Sequence, residues 1–169
     1  MTKSTRLILA PMLLVAIFFS SLAPSSAFMD KVRFGAHLGI AYYCFHHWVL
    51  NPYKEGKFAG GAPHRTSTIV KAGAALLFAV TQVRSAQKIA RTSNDRTLQK
   101  IVGAAGAMGA MGGLGGLAGS FGAVAHRLKS GQFSEKDVTD LVGETQTVSA
   151  QAAEDGAPIK DVPVHVPGM

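Results

Sequence analysis

Segment 30–50 contains one cysteine and three histidines whose types and spacing could carry chemistry. Cys44 and His47 are three residues apart, so on a helix they share a face and could bind one soft metal ion. His37 lies on nearly the same face as Cys44, but seven residues of helix rise about 10 Å, too far for the same ion. Two ligands do not complete a metal site, so the other ligands would have to come from elsewhere in the fold.

Distant histidines are the candidates for that completion. His64 and His126 could supply the missing metal ligands, and His126 could pair with a histidine of segment 30–50 to hold a haem in a helical bundle. Histidines on a half-buried helix also occur without any ligand role, and this ordinary interpretation is favoured. We therefore expect no metal and no cofactor. If either were found, the candidate ligands would be Cys44, His46, His47 and His126.

No motif of a known enzyme mechanism is present in the chain. It lacks G-x-S-x-G, H-E-x-x-H, P-loop and CxxC patterns. A paired-carboxylate site in the basic part of the chain would have to use Glu55 and Asp95. A nucleophile pair of Cys44 and His47 on one helix lacks an orienting group and oxyanion donors. The sequence thus predicts a protein that is not an enzyme.

The first 27 residues have the pattern of a secretory signal peptide. Two basic residues precede an apolar run from Leu7 to Ala23, and Ser25 and Ala27 supply small residues at a cleavage site. We expect export, either as a secreted protein or into the cell envelope, with removal of residues 1–27. An uncleaved membrane anchor is the alternative, because the apolar run is near the lower length limit for a span.

A glycine-rich stretch runs from Ile101 to Ala125, with nine glycines and no charged side chain in 25 residues. Small residues four apart on a helix let a second helix approach closely in lipid. This pattern selects as helix-packing residues Gly109, Gly112, Gly113, Gly116 and Gly119. In water, nine glycines in place of alanines cost a helix on the order of 8 kcal/mol. The alternative is therefore a flexible or tightly packed glycine-rich segment.

Three helices are expected in the body of the protein, residues 28–128. The first runs from Asp30 to Leu50 and ends before Pro52. Its apolar stripe consists of Phe34, Leu38, Ala41, Phe45 and Trp48. The second helix begins at Thr66, Ser67 or Thr68 and runs to about Arg91. The third follows a cap at Ser93 or Asn94 and leads into the glycine-rich stretch.

Helices 34–50 and 101–125 are the preferred crossings if the chain spans a membrane. Segment 51–100 would then lie inside with nine basic and two acidic residues, as the positive-inside tendency favours. Segment 69–83 is short for a span and would place the basic stretch after it on the wrong side. In water the same apolar helices would be buried in a core.

The C-terminal part has the opposite charge. Residues 130–169 contain seven acidic and two basic residues. Ser134 and Asp137 form a capping-box-like pair that predicts the start of an acidic amphipathic helix within 129–155. Its apolar face is expected at Val138, Leu141 or Val142, Thr145, Val148 and Ala152. Residues 156–169 include three prolines and predict an extended, mobile tail.

The basic body suggests an anionic partner. From Lys31 to Lys129 there are 13 basic and two acidic residues. Membrane lipid or an envelope polymer is expected, and nucleic acid is the least expected partner because of the export signal. Arg84, Lys88 and Arg91 form one stripe and are the candidate residues for binding an anionic surface. Cations near a helix end also complement the helix dipole, which is the alternative.

These patterns together predict an all-α protein with a small bundle of about three helices, one of them glycine-rich, followed by the acidic helix and the tail. The expected function is that of a non-catalytic cell-envelope protein. It would associate with membrane or with itself through segment 34–50 and the glycine face of 101–125. The alternative is a secreted soluble helical module that binds an anionic polymer or surface. Metal or haem binding is the third hypothesis.

The signal peptide can be tested by mass. Intact mass spectrometry of the protein recovered from the medium and from alkali-washed membranes is expected to show a chain beginning at Phe28, because the cleavage-site pattern ends at Ala27. A chain that keeps residues 1–27 in the washed membranes would contradict cleavage and identify an anchor.

Overall fold

The computed structural model describes residues 26–107 and 113–167, which contain helices, turns and extended chain and no β-strand. The helices are α1 Ser26–Phe45, α2 Asn51–Lys54, α3 Arg65–Thr92, α4 Arg96–Ala107, α5 Gly113–Ser130 and α6 Glu135–Glu154. A π-helical turn, His46–Leu50, joins α1 to α2. The predicted all-α class is confirmed. Residues 1–25, and with them most of the predicted signal peptide, lie outside the described residues.

Helix α3 packs between α1 and α5. Gln82 hydrogen-bonds His37 at 2.7 Å, and Lys71 lies over the ring of Trp48, so α1 and α3 are antiparallel. Helix α5 is in turn antiparallel to α3, because Gly73 lies near Ala125 whereas Gly115 lies near Gln87. Helix α6 then packs along α5. The body is thus built from helices that alternate in direction around α3.

The apolar stripe of α1 forms much of the core. Its fully buried members are Phe34, Leu38, Ala41 and Phe45. At the next turn Val49 is the fully buried residue, at 0% exposed, whereas the predicted Trp48 is only partly buried against the core. The cause is the π-helical turn, in which the N–H of Asn51 donates to the carbonyl of His46, five residues back. One extra residue in the turn moves the inward position along by one.

The predicted end of the first helix at Leu50 is wrong, since the helical chain continues to Lys54. Pro52 is accommodated because it lies in the first turn of α2, where a helix does not use the missing N–H.

The predicted second helix is present as α3, but its predicted cap at Thr66, Ser67 or Thr68 is wrong. The helix begins at Arg65, after His64 in a left-handed conformation that makes no side-chain capping hydrogen bond. The cap of α4 is Asp95 rather than Ser93 or Asn94.

The glycine-rich stretch is divided between the end of α4 and α5. Helix α5 begins at Gly113, whose φ of +68° is a conformation that favours glycine. Gly109 and Gly112 lie outside the described residues. Gly116 is buried, whereas Gly119 is exposed and a Cβ built there would meet nothing within 4 Å. The packing of α5 in the bundle therefore does not depend on glycine at position 119.

Helix α6 has the predicted start and face. The N–H of Ser134 donates to Asp137 Oδ2 at 2.8 Å, which is the carboxylate half of a capping box. The buried face consists of Val138, Leu141, Thr145, Val148 and Ala152. Tyr42 on α1 donates its hydroxyl to the carbonyl of Thr145 at 2.7 Å, so α6 is attached to α1 as well as to α5.

The tail is extended, as predicted, but it lies against α1. The N–H of Val162 donates to the carbonyl of Gly39 at 3.0 Å, and Asp161 Oδ2 lies 2.7 Å from His46 Nδ1. Apolar residues that lie two or three apart face the core, with Ala157 and Val166 buried. The prediction of a mobile tail is wrong for these residues, because prolines exclude a helix but allow an extended chain to lie against α1.

Gly39 provides a test of the tail contact. A Cβ at this position would press on the carbonyl oxygen of Lys160 and lie 2.7 Å from Val162 Cγ2. Gly39→Ala is therefore expected to lower the free energy of unfolding and to speed hydrogen exchange of the Val162 amide. Gly35→Ala is the matched control, because a Cβ there meets nothing within 4 Å and helix propensity predicts a gain of about 0.8–1 kcal/mol. Equal stabilisation by both variants, measured by urea unfolding, would contradict the docked tail.

Candidate functional site

One face of α3 is exposed to solvent along most of the helix. Its members recur at intervals of three and four residues: Val70, Ala74, Leu77, Thr81, Arg84, Lys88 and Arg91. We call these residues the outer face of α3. Val70 is 64% exposed and Leu77 is 57% exposed, so the first half of this face is apolar. The second half is basic.

The opposite side of α3 explains why the outer face is uncovered. The buried positions are mostly alanine, namely Ala72, Ala75, Ala79, Ala86 and Ala90, together with Leu76, Val80 and Val83. Small side chains let α1 and α5 approach the helix closely from two directions. With both neighbours in place, the third side of α3 has no helix to pack against within the described part of the chain.

The predicted anionic-surface residues lie together on the outer face. Arg84, Lys88 and Arg91 are all exposed, and no carboxylate of the described residues forms an ion pair with them. Only Arg91 belongs to the last turn of α3. Because the dipole effect falls off within the last turn, it does not account for Arg84. The three cations are thus available to an external partner.

A groove beside the outer face separates α3 from α5. Its volume is about 440 Å³. The floor lies where the two helices approach, since a Cβ built on Gly73 would be 3.8 Å from the carbonyl oxygen of Ala125. Apolar side chains form most of the walls: Ile69, Val70, Leu77 and Leu128. Arg65 and Lys129 lie at one end, because α3 starts where α5 finishes. We call this the α3–α5 groove.

Two other cavities have linings in which charged side chains pair with one another or with an aromatic ring. In the cleft between α5 and α6, Arg127 pairs with Asp137 at 2.7 Å. Burial would raise the pKa of Asp137, but hydrogen bonds from Ser134 and the pair with Arg127 lower it below its usual value. The second cavity, beside α2, is lined by Lys71, whose ammonium lies 5.8 Å from the Trp48 ring centroid. The α3–α5 groove is the apolar one among these three.

The predicted metal and haem ligands do not come together. Cys44 is buried, whereas His47 is exposed and stacks on Tyr43 with ring centroids 5.1 Å apart. His46 contacts Asp161 of the tail, and His126 is exposed on α5. Within residues 26–107 and 113–167, no group of three His, Cys, Asp or Glu side chains is placed to hold a metal ion.

Three of the predicted helix-packing glycines lie on α5 in the described residues. Gly113 begins the helix, and Gly116 and Gly119 both line the cleft between α5 and α6. The use of these glycines as a contact for another helix stays a prediction.

By length and composition, α3 is the one described helix that could cross a membrane, with a mean hydropathy of 1.3 over its most apolar window. The core helix of a soluble protein passes the same test. The choice of α3 differs from the sequence-based preference for crossings at 34–50 and 101–125. The fold and the site thus define an all-α protein with an exposed face that is half apolar and half basic. The chain matches no protein-family model, no curated protein and no solved structure.

The apolar half of the outer face was not predicted, although the sequence contains a pattern that indicates it. Val70 and Leu77 are separated by seven residues from each other, and Leu77 by seven from Arg84. A spacing of seven keeps side chains on nearly one face of a helix. Extending the predicted basic stripe backwards at this interval would have identified the apolar half.

Burial of Cys44 has a measurable consequence. Desolvation raises the pKa of its thiol to about 11. At pH 8 only about one molecule in a thousand then carries the reactive thiolate. A thiol reagent is expected to label native protein very slowly at pH 8 and to label unfolded protein in urea rapidly. Fast labelling of the native protein would contradict the buried position of Cys44 and reopen its candidacy as a metal ligand.

Proposed function

We propose that this protein is a non-catalytic, exported helical protein of the cell envelope that binds an anionic membrane surface through the outer face of α3. The observation that supports it is the division of this face into an exposed apolar half and an unpaired basic half. Export is proposed from the signal-peptide pattern of residues 1–27.

The two halves of the outer face suit the two layers of a membrane surface. Val70 and Leu77 would enter the boundary between head groups and acyl chains, where burial contributes about 1 kcal/mol for each partly exposed side chain. Arg84, Lys88 and Arg91 would each gain about 1 kcal/mol near anionic lipid. The total is on the order of 5 kcal/mol, which supports weak, reversible and salt-sensitive binding.

The proposed membrane contact lies on α3 and not on segment 34–50. The apolar stripe of that segment is buried in the core, so it offers little to a membrane while the bundle is folded. Self-association through Gly119 and its neighbours stays a secondary proposal, because Gly119 is exposed and has room for a partner.

The second candidate function is binding of an anionic envelope polymer. The same three cations on the outer face support it. A polymer would not require the apolar half, so removal of Val70 and Leu77 separates the two functions.

Vesicle binding tests the proposed function. Exported protein is sedimented with neutral vesicles and with vesicles that contain anionic phospholipid, at low and high salt. We expect binding to the anionic vesicles only, about thirtyfold weaker after Val70→Ser with Leu77→Ser, and weaker still after Arg84→Ala, Lys88→Ala and Arg91→Ala.

Each variant has a matched control. Val32→Ser removes an apolar side chain that is 50% exposed on α1. Lys54→Ala, Arg96→Ala and Lys100→Ala remove three exposed cations elsewhere. Equal loss in the charge controls would indicate a general charge effect and contradict the site. Binding that the cations alone determine would favour the anionic polymer.

A further inference from the structure

We propose that the α3–α5 groove binds a single-chain anionic amphiphile, such as a long-chain carboxylate. The chain would lie along the apolar floor, and the head group would lie at the end formed by Arg65 and Lys129. The inference rests on the proposed function in one respect, since both use Val70 and Leu77. Here, however, the partner is a soluble ligand that the bundle binds, whereas the proposed function concerns a membrane surface.

The groove has the size and lining of a small-molecule site. Its 440 Å³ falls within the range of about 300–1,000 Å³ that such sites occupy. From Arg65 to Leu77 the helix rises about 18 Å, which is the length available to an extended chain. Gly73 and Ala125 keep the floor free of large side chains. An apolar groove of this volume between two helices suits one chain.

Charge is confined to one end of the groove. The Nε–H of Arg65 donates to the carbonyl of Phe58 at 2.9 Å, which fixes the guanidinium beside the groove. Lys129 is exposed in the last turn of α5. Within the described residues, no carboxylate forms an ion pair with either cation. An apolar chain that ends in an anion complements this arrangement.

A second copy of the chain is the less suitable occupant. Its outer face carries the same cations, Arg84, Lys88 and Arg91, in a protein of net charge +7. Two such faces would bring like charges together, which is unfavourable in an interface.

Calorimetry with soluble amphiphiles below their micelle concentrations tests the proposal. The probes are octanoate, decanoate and dodecanoate, with dodecanol and dodecyltrimethylammonium as probes of the head group. We expect affinity to rise roughly fourfold for each added methylene until the groove is filled. Dodecanoate should bind at least about fivefold more tightly than dodecanol. Equal binding of the anionic, neutral and cationic probes would overturn the proposal.

Variants of the groove make the test specific. Ala74→Phe fills the groove from an exposed position and is expected to abolish binding of dodecanoate. Lys129→Ala is expected to weaken it about fivefold and to reduce its salt dependence. The controls are Ala150→Phe on α6 and Lys100→Ala on α4, which are also exposed. Thermal unfolding by circular dichroism verifies that each variant is folded.

The outcomes separate this inference from the proposed function. Vesicle binding without dodecanoate binding overturns the inference and retains surface association. Dodecanoate binding without vesicle binding supports the inference and contradicts the proposed binding to a membrane surface. A dimer that Ala74→Phe dissociates, in protein that binds no amphiphile, would show that a second copy occupies the groove and would overturn the inference.

Discussion

The packing of α3 between two neighbours is the constraint on which the rest of the structure depends. Its inner positions are mostly alanine, so the bulk of the core has to come from the helices on either side, as Phe34 and Phe45 of α1 and Phe121 of α5 show. Close approach of three helices fills two sides of α3 and leaves the third without a partner. The exposed face and the groove beside it are therefore consequences of the same packing that builds the core.

The C-terminal third of the chain completes the bundle from outside. Helix α6 brings acidic residues to the basic body, where Asp137 pairs with Arg127. The tail then crosses α1 at Gly39, the position where a side chain would collide with it. Together these contacts cover α1 and α5 away from α3. Within the described residues, α6 and the tail do not cover the outer face of α3. One side of the bundle is therefore exposed although the other sides are packed.

Local patterns in the sequence predicted much of the fold, and the predictions that failed concern features that local preferences do not encode. The stripe of α1, the end of α3 near Arg91 and the cap and face of α6 all follow from periodicity and capping chemistry. The inward shift from Trp48 to Val49 depends on a π-helical turn, which no local preference indicates. The exposed positions Val70 and Leu77 lie in a run that is apolar almost all round, so hydrophobicity alone does not mark the side that stays uncovered, and only the seven-residue spacing that links them to Arg84 indicates it. The basic stripe that begins at Arg84 could be predicted, because charged side chains lie on the solvent-exposed side of a helix.

The same burial decides between lying on a membrane and crossing it. Helix α3 has the length and composition of a span, but it shares its inner side with Phe34, Leu38 and Phe45, all 0% exposed. Withdrawing α3 into a bilayer would expose these three side chains to water at a cost on the order of 6 kcal/mol. Folded domains of this size are stable by only about 5–15 kcal/mol, so this cost is comparable to the whole free energy of unfolding of the bundle. Contact through the outer face exposes no core side chain to water, because Val70 and Leu77 already lie outside the core. The membrane association that we propose is therefore a peripheral one.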